Sequence, residues 1–154
     1  ALSSAASDVY KRQVIDDAEL ERVKAGYPCV WKDLNAAPKL CFVGCPHLTL
    51  GQLQSWTERI EKSLADHGKR KVTVPTVFTA APATIKEFQK TPYARRLERT
   101  GVILSYICPL MYMNNPLSGK MPVITCSNKL RTYTTARYYT EDEILSKITG
   151  GAGK

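Results

Sequence analysis

The stretch LCFVGCPHLTLGQL, Leu40 to Leu53, decides how the chain folds. With Lys39, its first half reads as a short apolar strand, KLCFVG. Its second half opens a helix. Thr49 followed by Gln52 has capping-box spacing, in which each side chain satisfies an exposed backbone donor at a helix start. Leu50, Leu53, Trp56, Ile60 and Leu64 then recur at helical intervals until Gly68 stops them. Between strand and helix stand Cys45, Pro46 and His47, which a plain turn does not require.

Working outward, the alternation continues. DDAELERVKAG is helical and ends at Gly26. VTVPTVFT is a second strand, and Pro75, lacking a donor, predicts that it lies near an edge or starts late. Pro82 suits a first helical turn with Ile85 and Phe88 facing inward, and Thr91-Pro92 and Gly101 bracket the helix YARRLERT. VILSYI and PVIT read as the third and fourth strands. Thr140 with Glu143 forms a second capping box, opening EDEILSKIT, which Gly150 closes. Strands alternating with helices predict an α/β fold with a parallel or mostly parallel sheet and flanking helices, a Rossmann-like three-layer domain.

In such sheets ligands bind beyond the carboxyl ends of the strands. That edge collects Cys45-Pro46-His47 after the first strand and Thr79-Ala80-Ala81 after the second. Cys108-Pro109 follows the third, and Cys126-Ser127-Asn128-Lys129 the fourth.

Composition narrows the rest. The 154 residues, 44% hydrophobic and 23% charged, suit one soluble globular domain. No run approaches the roughly 18 apolar residues of a membrane span. No apolar signal core opens the chain either, so a cytoplasmic protein without membrane contact is expected. The net charge of +8 comes from 22 Lys and Arg against 14 Asp and Glu. These cations are scattered and accompany no DNA- or RNA-reading motif, so nucleic acid is not the expected partner. SDVYKRQ, Ser7 to Gln13, back-translates as TCAGATGTGTATAAGAGACAG, which resembles a transposon end used in preparing sequencing libraries. Residues 1–13 are therefore expected to be a non-native leader. Residues 14–154 are expected to be the C-terminal domain of a protein that continues upstream of Val14.

The five cysteines are odd in number and irregularly spaced, which argues against a disulfide framework. Donors to one ion lie within about 4 Å of each other when each bond is about 2.3 Å. Cys41 and Cys45, on an extended segment, would be roughly 13 Å apart and cannot share one. Cys41 is expected in the core, and Cys29 has no evident partner. Cys45, Cys108 and Cys126 could converge across adjacent strand ends. Three thiolates there would fit an iron–sulfur site with one open iron position, a Lewis acid for a departing hydroxyl. Packing thiols are the alternative reading. His47, ahead of a helix start, reads either as a neutral hydrogen-bond partner or anion contact, or as a capping residue. TCSNKLRTYTTARYY, Thr125 to Tyr139, reads as a hydroxyl-rich loop with Lys129, Arg131 and Arg137. It would either bind a carboxylate or phosphate or simply be exposed.

The ordered segments FVGCPHLTLGQL, VPTVFTAAP, LERTGVILSYICP and PVITCSNKLRTYTTARYY resemble the C-terminal part of the aconitase X large subunit. The resemblance runs from about Lys39 to Thr149. It implies part of a hydro-lyase that dehydrates a small anionic hydroxy acid with an iron–sulfur cluster or mononuclear iron. Family activities include dehydration of cis-3-hydroxy-L-proline and of mevalonate 5-phosphate. A small swivelling subunit or domain would complete the site, leaving the isolated chain inactive. By the same resemblance Cys108 is the foremost metal ligand and Cys45 a weaker one, and Cys126, at the neighbouring strand end, would add a third. His47, Ser127 and Lys129 match family elements and are the expected substrate-binding residues, joined by Thr79 from its strand-end position. Cys126 replaces the family's usual asparagine, and Arg131-Thr132 before Tyr133 also departs from its pattern. The alternative is a non-catalytic α/β module for an anionic ligand or partner.

Overall fold

The computed structural model describes residues 14–113 and 115–150; the expected leader, residues 1–13, lies outside them. Helix α1, Asp17–Ala25, begins at Asp16, whose carboxylate accepts the Glu19 amide at 2.8 Å. Strand β1 runs Leu40–Leu48 and helix α2 runs Leu50–Asp66. Both capping-box bonds at Thr49 and Gln52 form, at 2.9 and 3.2 Å. Strand β2, Thr76–Ala80, leads into α3, Pro82–Gln89, and α4, Pro92–Arg99, each with proline in its first turn. Strand β3, Ile103–Ser105, precedes the single turn α5, Leu110–Met113. Strand β4, Val123–Thr125, precedes α6, Asn128–Tyr133. Strand β5 is Arg137–Tyr138, and α7, Glu141–Thr149, ends at Gly150 in the left-handed region.

The strands form one sheet in the order β3-β2-β1-β4-β5, and every described pair is parallel. The expected α/β architecture with a parallel sheet and flanking helices is therefore correct. Pro75 marks a late start rather than an edge: β2 is an interior strand whose ladder begins one residue later. The Pro75 carbonyl still accepts the Cys41 amide at 2.8 Å. The expected strand VILSYI contracts to three residues at the sheet's margin. The supposed loop from Thr125 to Tyr139 contains α6 and β5, because Ser127 caps a helix whose Leu130 is buried.

Alternate strand residues face two unequal layers, as a period of two requires. On one face Cys41, Val43, Phe78 and Ile124 pack with Leu53, Trp56 and Ile60 of α2, Phe88 of α3, Leu97 of α4 and Ile144 and Ile148 of α7. Trp56 meets Phe78 edge-on at 5.4 Å. Each such buried side chain contributes about 1.5–3 kcal/mol relative to exposure, which makes this face the main core. The opposite face carries a smaller cluster of Phe42, Met113, Val123, Leu130 and Ala136. Helices α5 and α6 cover its β1–β4 half. Toward β3 it is open: Leu40, Phe42, Val77 and Ile103 floor an apolar hollow of about 370 Å³ walled by Leu117 and Met121.

Candidate active-site edge

Sequence order along the sheet reverses at β1. Strands β2 and β3 extend to one side of it, and β4 and β5 to the other. The junction of β1 and β4 is therefore the switch point, beyond whose carboxyl ends doubly wound folds take ligands.

On the β1 side the ladder breaks. Val43 pairs with Phe78 and Leu48 with Ala80, so Gly44 to His47 bulge out against the single residue Thr79. Gly44 has φ +111°, and a Cβ there would stand 2.4 Å from the Thr79 carbonyl oxygen. Only glycine allows this approach. The Thr79 hydroxyl donates to the Gly44 carbonyl at 2.5 Å, and Thr79 is wholly buried. Thr79 thus fastens the bulge from beneath instead of facing a ligand. The Cys45–Pro46 peptide bond is cis. Cys45 turns toward the smaller cluster, and His47 is exposed, its side chain making no hydrogen bond among the described residues.

On the β4 side Ser127 is buried, and its Oγ accepts the Leu130 amide at 3.0 Å. Lys129, one turn into α6, is exposed and makes no ion pair among the described residues. Arg131 bonds Asn128 Oδ1 at 3.0 Å and lies 3.9 Å from the Tyr27 ring centroid. Arg137 donates to the Leu34 carbonyl at 2.9 Å, between the rings of Trp31 and Tyr139. Trp31 in turn donates to the Thr135 carbonyl at 3.0 Å. These cation–aromatic contacts are each worth about 0.5–2 kcal/mol and hold both arginines in the scaffold. This aromatic brace was not foreseen from the sequence; the clustering of Tyr27 and Trp31 before β1 was the available signal. Cys29, unassigned from the sequence, lines a cleft with Tyr27, Tyr138 and Glu143.

The cysteines separate. Cys126 packs with Cys41 and the helical layer, whereas Cys45 packs on the opposite face. Cys108 follows β3, three strands from β4, on the order of 14 Å at ordinary strand spacing. Among the described residues no three His, Cys, Asp or Glu side chains group as metal ligands. Burial, reinforced by the nearby Glu141 charge, pushes the Cys126 thiol up to about 11, and complete burial pushes Cys41 higher still. The expected set of Cys45, Cys108 and Cys126 therefore does not fit one iron–sulfur or iron centre within this chain. Cys108, partly exposed beyond β3, is the outlying member of that set.

The arrangement defines a doubly wound parallel α/β domain whose strand order switches between β1 and β4. Residues 38–145 match the family described as "Aconitase X third domain". The chain belongs to the aconitase X family. No curated protein matches it. Its fold is similar to the crystal structure of Thermococcus kodakaraensis aconitase X in the holo-form. The TM-score is 0.68 at 18% identity, covering 87% of this chain and 33% of that one. The chain thus spans one third of the length of that relative. No helix among the described residues is long and apolar enough to cross a membrane.

Proposed function

We propose that this domain forms one wall of a hydro-lyase active site for a small anionic hydroxy acid. The observation that carries the reading is the pairing of exposed His47 and exposed Lys129 on the two sides of the β1–β4 junction. No Asp or Glu occurs in the sequence between Glu98 and Glu141, so the segment from β4 to β5 brings Lys129, Arg131 and Arg137 without an acidic residue of its own, and the nearby Glu141 is paired with Arg59. Lys129 would hold the substrate's carboxylate or phosphate as a point charge. His47 would supply a hydrogen bond from the opposite wall. The Ser127 hydroxyl, already accepting from α6, keeps its proton available for a second contact. Thr79 acts on this site only through Gly44.

The catalytic base is not assigned to this chain. A centre of the kind the family resemblance implies would require donors beyond these residues, with Cys108 as this domain's contribution. A small swivelling subunit or domain would close the site from above. The test is dehydration of a panel of 2- and 3-hydroxy acids, including cis-3-hydroxy-L-proline and mevalonate 5-phosphate, by the complete enzyme carrying this domain. Lys129→Ala should lower kcat/KM about 10- to 100-fold, the worth of a charge-assisted bond, chiefly through KM. If no hydroxy acid is dehydrated, or Lys129→Ala and His47→Ala are silent, the non-catalytic binding module becomes the better reading.

A further inference from the structure

The sheet's two faces are covered unequally, and the bare part has a definite chemistry. Parallel sheets are stable with both faces covered. Here the β2–β3 half of one face ends in Ile103, 59% exposed, bordered by Leu117, 80% exposed, and Met121, 37% exposed. From Thr100 to Gly119 the sequence carries no charged residue. Interface cores are likewise depleted of charge and enriched in methionine and aromatic residues, whereas a solvated surface this long would carry charges.

We propose that this open half-face, from Ile103 to Met121, is the seat of another domain of an aconitase X polypeptide. Two facts choose that occupant. The matched relative's chain is three times the span covered here, so two thirds of its length has no counterpart in this domain. A second copy is disfavoured because each chain carries a net charge of +8 and the patch offers no acidic group to offset it. The domain that docks there presents an apolar, charge-poor surface and supplies the missing third layer over β2 and β3. The inference rests on family membership and not on the hydro-lyase chemistry, so an inactive protein leaves it standing.

The chain's three methionines provide the probe. Met121 lines the patch and is 37% exposed, Met111 of α5 is 76% exposed and Met113 is 1% exposed. Peroxide oxidation to the sulfoxide, read peptide by peptide, is compared between the isolated 154-residue chain and the intact polypeptide that contains it. In the isolated chain Met111 and Met121 should both oxidise faster than Met113, at every protein concentration. In the intact polypeptide Met121 should slow at least tenfold, with Met113 unchanged. Equal Met121 rates in the two forms overturn the proposal. So does a gene that encodes no further domain, or protection that requires a separately encoded subunit. Protection of Met121 in the isolated chain that grows with concentration also overturns it, assigning the face to a second copy.

Discussion

Gly44 and Thr79 are locked together: the threonine hydroxyl donates to the glycine carbonyl at 2.5 Å, and no Cβ fits between them. The contact joins the bulge of β1 to the interior strand β2, and so sets where Cys45, Pro46 and His47 emerge. Gly44→Ala should destabilise the chain by about 2–4 kcal/mol, combining left-handed strain with the collision. Thr79→Val should cost about 1–3 kcal/mol by orphaning the carbonyl, and Thr79→Ser should recover part of that loss. Urea unfolding midpoints measure all three.

The two capping boxes should behave as independent, additive units, since they open different helices. Thr49→Ala and Thr140→Ala should each cost about 0.5–2 kcal/mol. The double variant should lose their sum to within about 0.5 kcal/mol. A sum that fails by more would mean that α2 and α7 are coupled through their contact.

That contact includes Arg59, which bonds Glu141 at 2.7 Å and Asp142 at 2.8 Å while lying over the Trp56 ring. All three charges are partly solvated, so Arg59→Ala should cost only about 1 kcal/mol. The part of that loss owed to the ion pairs should shrink between 0.05 and 1 M salt, as screening removes it. A loss independent of salt would assign the whole effect to the ring contact.

Stability should also depend on alkaline pH. A thiol whose folded pKa exceeds its unfolded one binds its proton more tightly when folded. For Cys126 that contribution is complete below 9.0 and is lost as pH rises through about 11. Cys41, Tyr138 and Tyr139 are raised by burial in the same sense. The urea midpoint should therefore stay level up to about pH 8.5 and fall above it, less steeply in Cys126→Ala. Alkylation near neutral pH should spare Cys41 longest, with Cys126 slower than Cys108.

Much of the fold was legible because its signals are local. Capping boxes, prolines in first turns and glycine stops act within four residues, and α2, α3, α4 and α7 came out close to their observed limits. Strand β5 and helix α6 were not legible. Two residues of β5 owe their strand form to Ile124 and Thr125, and α6 is held by burial of Leu130, both properties of the assembled sheet. The strand-end positions of His47 and Lys129 followed from the alternation. The separation of the cysteines did not, because it depends on which face each residue takes and on β3 lying at the margin. Thr79 was read as a ligand contact from its strand-end position and Ser127 from the family resemblance; in the structure the Thr79 hydroxyl donates within the β1 bulge, and the Ser127 hydroxyl accepts at the start of α6.

The order β3-β2-β1-β4-β5 also sets a sequence of events in time. Strand β1 pairs with β2 soon after it leaves the ribosome, yet its other flank waits for Val123–Thr125, with α2, β2, α3, α4, β3 and α5 in between. Closing so long a loop is entropically costly and slow. Until it closes, the most apolar strand of the sheet presents an unpaired edge to other nascent chains. Helix α6, which carries Lys129, follows β4 and takes its place only at that step, so the β1–β4 junction is among the last features of the chain to form.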